Sequence, residues 1–81
     1  MEISYDKKYN IAYIKIQEKT SNVETITLNN EVNIDISPDG KIYGIELLNA
    51  SEQLKLQDNK LVFIDIVTGK KTIIPIGINK L

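Results

Sequence analysis

Composition excludes several classes of function before any motif is considered. The chain has 81 residues, a formal net charge of −1, and neither histidine nor cysteine. A zinc site with nitrogen and sulfur ligands, a disulfide, and nucleophilic catalysis of the Ser/His/Asp or Cys/His type are therefore excluded. All ten basic residues are lysine, and the absence of arginine argues against specific DNA or RNA readout. We expect a protein that is not an enzyme and holds no cofactor and no metal.

Length and the distribution of apolar residues bound the architecture. The 81 residues predict one domain spanning residues 1–81. Such a domain buries only about 60% of the surface that its unfolded chain exposes, so tight packing or self-association must stabilise it. Residues 1–10 carry scattered charges without an apolar run, and no stretch reaches the roughly 20 apolar residues of a spanning helix. These features predict a cytoplasmic protein without a membrane partner.

Alternation of apolar and polar residues predicts β-strands over most of the chain. The first five predicted strands lie around residues 3–5 and over residues 11–17, 23–28, 32–36 and 42–48. Residues 37–41 contain Pro38 and Gly40 in the order that is typical of a hairpin turn. The fourth and fifth strands are therefore expected to pair.

The alternation breaks after residue 48, where a short helix is predicted near residues 51–57. Asn49 or Ser51 is suited to cap it. Beyond it, two apolar runs flank a turn at residues 68–71 and predict an additional C-terminal hairpin over residues 60–78, with Pro75 on an edge strand. The fold class is α+β and mainly β: an antiparallel meander of about seven short strands with one short helix.

The order of four segments resembles the YuzE-like family of small prokaryotic domains of unknown function. These segments are residues 4–6, 12–16, 32–36 and 38–51. The resemblance covers residues 1–56 and leaves the C-terminal hairpin outside. It implies no activity, cofactor or catalytic residue. Members that are encoded beside other small proteins suggest an antitoxin-like role with a small partner protein.

One pair of carboxylates is a candidate cation site. Asp35 and Glu46 lie on the two strands that the turn at residues 37–41 joins, and both are placed on the polar side of the sheet. Two such acids close together could bind a hard cation through oxygen. The commoner outcome is isolated carboxylates on a solvated sheet face, which Lys15 and Lys41 could neutralise, so no metal, cofactor-binding or catalytic residue is assigned.

Three further residues have structural interpretations. Asp6 is expected to organise a turn through its side chain. Asp65 ends an apolar run whose face, shared with Leu61 and Phe63, is expected to become exposed toward one end. Gly44 inside a strand indicates either a bulge or a large side chain opposite that needs the room.

The four tyrosines offer a second candidate surface. Tyr5, Tyr9, Tyr13 and Tyr43 could stack on single-stranded nucleic acid. The acidic composition and the absence of arginine argue against that function. Tyr13 and Tyr43 are better interpreted as packing residues near a sheet rim or an interface.

Two classes of function remain. The strands over residues 11–17 and 61–67 carry apolar residues on both faces, and the predicted helix is too short to cover a second face. We therefore predict a homo-oligomer, with a dimer favoured, that acts as a protein-interaction or self-assembly module. The alternative is a small-ligand or divalent-cation binding protein that uses an acidic sheet face.

Overall fold

A computed structural model of the chain describes residues 1–20, 22–54 and 60–75. The described residues form seven strands and one helix. The strands are β1 (Glu2–Asp6), β2 (Ile11–Lys15), β3 (Glu24–Asn29), β4 (Val32–Ile36), β5 (Ile42–Leu48), β6 (Lys60–Ile64) and β7 (Lys71–Pro75), and the helix α1 spans Ala50–Leu54. The predicted mainly antiparallel β fold with one short helix is confirmed.

Five of the strands form one antiparallel sheet in the order β1-β2-β5-β4-β3. This order differs from a simple meander, because β5 lies between β2 and β4. The hairpin β1-β2 and the meander β3-β4-β5 each pair locally, and the long-range pairing of β2 with β5 joins them. Alternation in the sequence predicts the strands but does not specify such distant neighbours.

The turn between β4 and β5 is closed by the residues that predicted it. Gly40 adopts a φ of 87° and donates its backbone N–H to the Ser37 carbonyl at 2.9 Å. The Asp39 carboxylate accepts hydrogen bonds from the Ser37 hydroxyl and the Lys41 N–H. These bonds, that from Ser37 above all, hold the pKa of Asp39 below its ordinary value. The hairpin is therefore specified locally.

Helix α1 begins one residue before the predicted start, and residues 55–57 of the predicted span lie outside the described residues. Its first turn is capped from a distant part of the chain. The Asn10 carbonyl accepts the Ala50 N–H at 2.9 Å, and the Asn10 side chain accepts the Ser51 N–H at 3.0 Å. Asn49 precedes the helix with a φ of 51°. The predicted caps are therefore supplemented by a residue of the β1-β2 turn.

Few side chains of the described residues are fully buried. The buried hydrophobic residues are Ala12, Tyr43 and Ala50. Ala12 pairs with Tyr5 on one side and Leu47 on the other, so the core lies where β1, β2 and β5 meet the start of α1. Such a small core leaves most of the sheet's aliphatic side chains partly exposed.

Strands β6 and β7 form a separate two-stranded sheet, called the arm below, which spans residues 60–75. Gly69, with a φ of 74°, donates its N–H to the Asp65 carbonyl at 2.7 Å and closes the turn. Among the described strands, β6 and β7 hydrogen-bond only to each other. Pro75 therefore lies on an edge strand, as predicted.

Candidate functional site

The register of the five-stranded sheet separates its side chains into a polar and an apolar face. Directly paired residues of antiparallel strands point to the same face. On the apolar face, one aligned position on each strand is isoleucine. These residues, called the isoleucine row below, are Ile3, Ile14, Ile45, Ile34 and Ile26, in order from β1 to β3.

None of the five side chains of the isoleucine row is buried by the described residues. Ile3 and Ile26, at the two ends, are each 43% exposed, and the three central residues are half-buried. A second row next to it contains Val32, Leu47 and Ala12. Five adjacent β-branched side chains that remain in contact with water make this face the candidate interaction surface.

The polar face is occupied by its own hydrogen-bond network. Asp35 on β4 accepts hydrogen bonds from the Tyr13 hydroxyl at 2.9 Å and the Thr25 hydroxyl at 2.8 Å. Lys19 forms an ion pair with the same carboxylate at 2.8 Å, and its ammonium group lies 4.8 Å from the centre of the Tyr13 ring. Residues from β2, β3 and β4 and the β2-β3 connection thus converge on one acid.

The pKa values in this network follow from these contacts. Burial alone would raise the pKa of Asp35, but the hydrogen bonds from Lys19, Thr25 and Tyr13 outweigh it and lower the pKa. Burial, followed by the hydrogen bond to Asp35, raises the pKa of Tyr13. The hydrogen bond to Asp35 raises the pKa of Lys19. At neutral pH the carboxylate and the ammonium are both charged and neutralise each other.

The carboxylates of the candidate cation site share the polar face, as predicted, but they have separate partners. Glu46 accepts a hydrogen bond from the Asn33 amide at 2.8 Å, and Asn33 in turn accepts one from Thr27. Glu46 pairs directly with Asn33 in the strand register, whereas Asp35 pairs with Gly44. Nowhere in residues 1–20, 22–54 and 60–75 are three or more acidic side chains grouped to hold a metal ion.

The expectation that Lys15 and Lys41 neutralise the two acids is wrong. Lys15 forms an ion pair with Glu18 at 2.6 Å, and Lys41 lies 3.9 Å from Asp39. Lys19 takes this role at Asp35. No local signal identifies Lys19 as the partner of Asp35. The two residues are 16 positions apart, and only the sheet topology brings the loop after β2 next to β4.

Both interpretations of Gly44 have structural support. A Cβ atom on Gly44 would collide with the Tyr13 ring, which lies across the strand at this point. The register between β4 and β5 also shifts between Asp35 and Ile36, directly beside this position. The glycine therefore lets Tyr13 reach Asp35 at an irregular point of the sheet.

The tyrosines do not form a common stacking surface. Tyr5 and Tyr13 lie on opposite faces of the sheet, since they belong to adjacent residue pairs of one hairpin. Tyr43 is only 3% exposed and shares a hydrogen bond with the Thr20 hydroxyl, which confirms it as a packing residue. Tyr9 lies in the β1-β2 turn beside Lys8.

Asp6 organises a turn, as predicted, and Asp65 organises one that the sequence analysis did not predict. Asp6 accepts the Lys8 and Tyr9 N–H groups, and Asp65 accepts those of Val67 and Thr68. On the face that Asp65 was expected to share, Leu61 is half-buried and Phe63 is 65% exposed. The exposure therefore increases toward the turn, as predicted.

Asn10 is a structural residue that the sequence analysis missed. It has a φ of 56°, accepts the Tyr5 hydroxyl at 2.8 Å, and donates its amide to the Ser51 hydroxyl at 3.0 Å. The available signal was an asparagine at the end of a polar turn, because asparagine tolerates positive φ better than most residues. Its contact with the helix, 41 residues away, has no local signature.

The comparisons with known proteins assign the chain to a family of unknown function. A family model described as a protein of unknown function, DUF2283, matches residues 2–51. No curated protein and no solved structure matches. The matched residues contain the whole five-stranded sheet and the start of α1 but not the arm. A small domain of unknown function is thus confirmed there, and the YuzE-like name stays a prediction. In the part of the chain that the structure describes, no helix has both the length and the apolar character needed to cross a membrane.

Proposed function

The chain belongs to the DUF2283 family of proteins of unknown function, and we propose that it is a non-enzymatic self-assembly module that binds a second copy of itself through the isoleucine row. The observation that carries this proposal is the alignment of isoleucine on all five strands of one face. Each side chain that leaves water on association contributes up to about 1.5–3 kcal/mol if fully buried.

The contrast between the faces supports an apolar interface over a ligand site. On the polar face, the acids have intramolecular partners, so a cation would have to displace Lys19 from Asp35. On the apolar face, the described residues leave the isoleucine row partly exposed, and further apolar surface would complete its burial. A two-fold dimer does this with identical patches on both copies.

The area of the apolar sheet face limits the dimer affinity that this face can supply by itself. Four strand spacings make the sheet about 19 Å wide, and five residues make it about 17 Å long, or roughly 320 Å² in projection. A standard interface buries about 800 Å² per partner. The row is therefore the centre of the proposed interface, and other apolar surface must extend it.

The test replaces the two exposed ends of the isoleucine row and compares them with matched positions on the other face. The double variant Ile3→Lys with Ile26→Lys places charges on the apolar face. The control, Ser4→Lys with Thr27→Lys, places the same charges on the same two strands but on the polar face. Light scattering from micromolar to millimolar protein measures the mass, and circular dichroism checks that each variant is folded.

We expect a dimer for the unaltered protein and for the control, and a folded monomer for the isoleucine variant. A monomer for the unaltered protein over the whole range would refute self-assembly. Equal dissociation of both double variants would refute the isoleucine row as the interface. A stoichiometric complex with a different small protein, without any homodimer, would assign the face to that partner instead.

A further inference from the structure

We propose that the arm, residues 60–75, completes this interface by lying on the isoleucine row of the second copy, with its tip toward the partner's β3. This inference rests on the proposed self-assembly. It identifies the element that supplies the missing apolar surface and the direction in which it crosses.

The tip of the arm is apolar where a turn is normally polar. Ile66 and Val67 are 91% and 94% exposed. The turn does not need these two side chains, because its hydrogen bonds are made by the side chains of Asp65 and Thr68 and by backbone groups. Turns favour glycine, asparagine, aspartate and serine at such positions. Two exposed β-branched residues there are suited to contact a partner.

The two sides of the arm have different surroundings. On one side, Leu61 and Ile74 meet Met1 and Ile3 in an apolar cleft of about 360 Å³. The base of the arm thus lies beside the β1 end of its own isoleucine row. The first side is covered only at its base, since Ile74 is 44% and Phe63 is 65% exposed. The second side carries the paired residues Val62 and Ile73, which are 41% and 59% exposed. A two-stranded hairpin is marginally stable unless such a side packs against another element.

The length of the arm matches the length of the isoleucine row on a partner. Five residues per strand give the arm a length of about 17 Å, close to the width of about 19 Å over which five strands present the isoleucine row. In a two-fold dimer each copy contributes one isoleucine row and one arm. Each row is covered by the partner's arm, so the contact between arm and row occurs twice in the interface.

Charge complementarity sets the direction of the arm. Lys71 lies on the second side of the arm, with Val62 and Ile73, and is paired with Ile64 next to the tip. Glu24 lies at the β3 end of the apolar face, two residues from Ile26 on the same strand. Neither side chain has an ion pair with another described residue. An arm whose tip points toward the partner's β3 brings these opposite charges together.

Single cysteines test the contact directly, because the natural chain has none. Val67→Cys protein is mixed with a size-tagged Ile26→Cys protein and oxidised, and the disulfide-linked heterodimer is measured on a non-reducing gel. The matched control is a tagged Thr27→Cys protein, whose cysteine is one residue away but on the polar face. We expect crosslinking with Ile26→Cys at least tenfold above that with Thr27→Cys.

The dissociation constants of further variants provide an independent measurement. The variant Ile66→Ser with Val67→Ser changes only exposed side chains, and we expect it to weaken the dimer at least tenfold while the fold persists. Reversal of either charge, Glu24→Lys or Lys71→Glu, should weaken it about two- to fivefold, and the combined reversal should restore it.

The results separate the arm from the self-assembly on which it rests. A dimer that the Ile3→Lys/Ile26→Lys variant dissociates, but that neither crosslinks through Val67→Cys nor responds to the serine variant, would overturn the role of the arm and leave the isoleucine row in place. Absence of any dimer of the unaltered protein would overturn both. Selective crosslinking together with the loss of affinity supports the arm.

Discussion

The five-stranded sheet and the arm are held together in different ways. In the sheet, polar side chains tie distant segments to one another: Asn10 reaches Ser51, and Lys19 reaches Asp35. In the arm, the hydrogen bonds of the Asp65 and Thr68 side chains stay within the turn that joins β6 and β7. The family match covers the sheet and ends before the arm. The difference indicates that long-range polar contacts specify the sheet, whereas the arm has local polar contacts and exposed apolar side chains.

The largest loss of stability is expected at Asn10. From the β1-β2 turn, its side chain forms hydrogen bonds with Tyr5 and with the start of α1. Asn10→Ala should lower the free energy of unfolding by about 3 kcal/mol, because it removes several hydrogen bonds and disfavours the positive φ. Urea denaturation in the dilute monomer measures this loss.

Asn10→Gly separates the two contributions to that loss. Glycine accepts the positive φ but cannot make the side-chain bonds, so it should be about 1 kcal/mol less harmful than alanine. A loss below about 0.5 kcal/mol for Asn10→Ala, as at an ordinary surface position, would remove the distinction between the sheet and the arm.

A smaller effect is expected at Gly44, where the Tyr13 ring occupies the place of a side chain. Gly44→Ala should cost about 2 kcal/mol through overpacking. In a Tyr13→Ala background the same change should cost almost nothing, since the ring is absent. Unfolding free energies of the four proteins form a double-mutant cycle with a coupling above about 1 kcal/mol. Equal costs in both backgrounds would show that Tyr13 is not the obstacle.

The contribution of Asp35 should depend on pH. Because its pKa is lowered in the folded state, its stabilising effect is complete above the unfolded value of about 3.9 and is lost as the pH falls through the folded value. Asp35→Asn should therefore cost about 1–2 kcal/mol at pH 7 and progressively less below pH 4. The control is Glu24→Gln, which removes a carboxylate outside the network; both variants are measured in the dilute monomer, where the proposed dimer contact of Glu24 is absent. A pH-independent difference for Asp35→Asn would contradict the network.

The smallest change in the free energy of unfolding is expected for a substitution in the arm. Asp65→Ala removes two hydrogen bonds from its turn and should change the unfolding free energy of the dilute monomer by less than about 0.5 kcal/mol. Amide hydrogen exchange should nevertheless become faster in β6 and β7 and stay unchanged in β2 and β5. A global loss as large as that of Asn10→Ala would mean that the arm and the sheet unfold as one unit.

Local chemistry made much of the fold predictable. The turn at residues 37–41 was identifiable because Pro38 fixes its own φ and Gly40 accepts the positive φ that the turn requires, and the strands followed from alternation. The shared face of Asp35 and Glu46 followed from the same alternation. The partners of these acids did not, because Lys19 and Asn33 become neighbours only through the register.

By itself, the sequence determined the strand period, the hairpin turns, the separation of an additional C-terminal hairpin, and the chemistry that is excluded by the missing histidine, cysteine and arginine. Only the tertiary structure decided that β5 lies beside β2, and this pairing aligns the five residues of the isoleucine row. The physical reason is the range of the interactions involved. Turn and strand preferences act between residues close in the chain, whereas a row across a sheet depends on the register of strands that are distant in sequence.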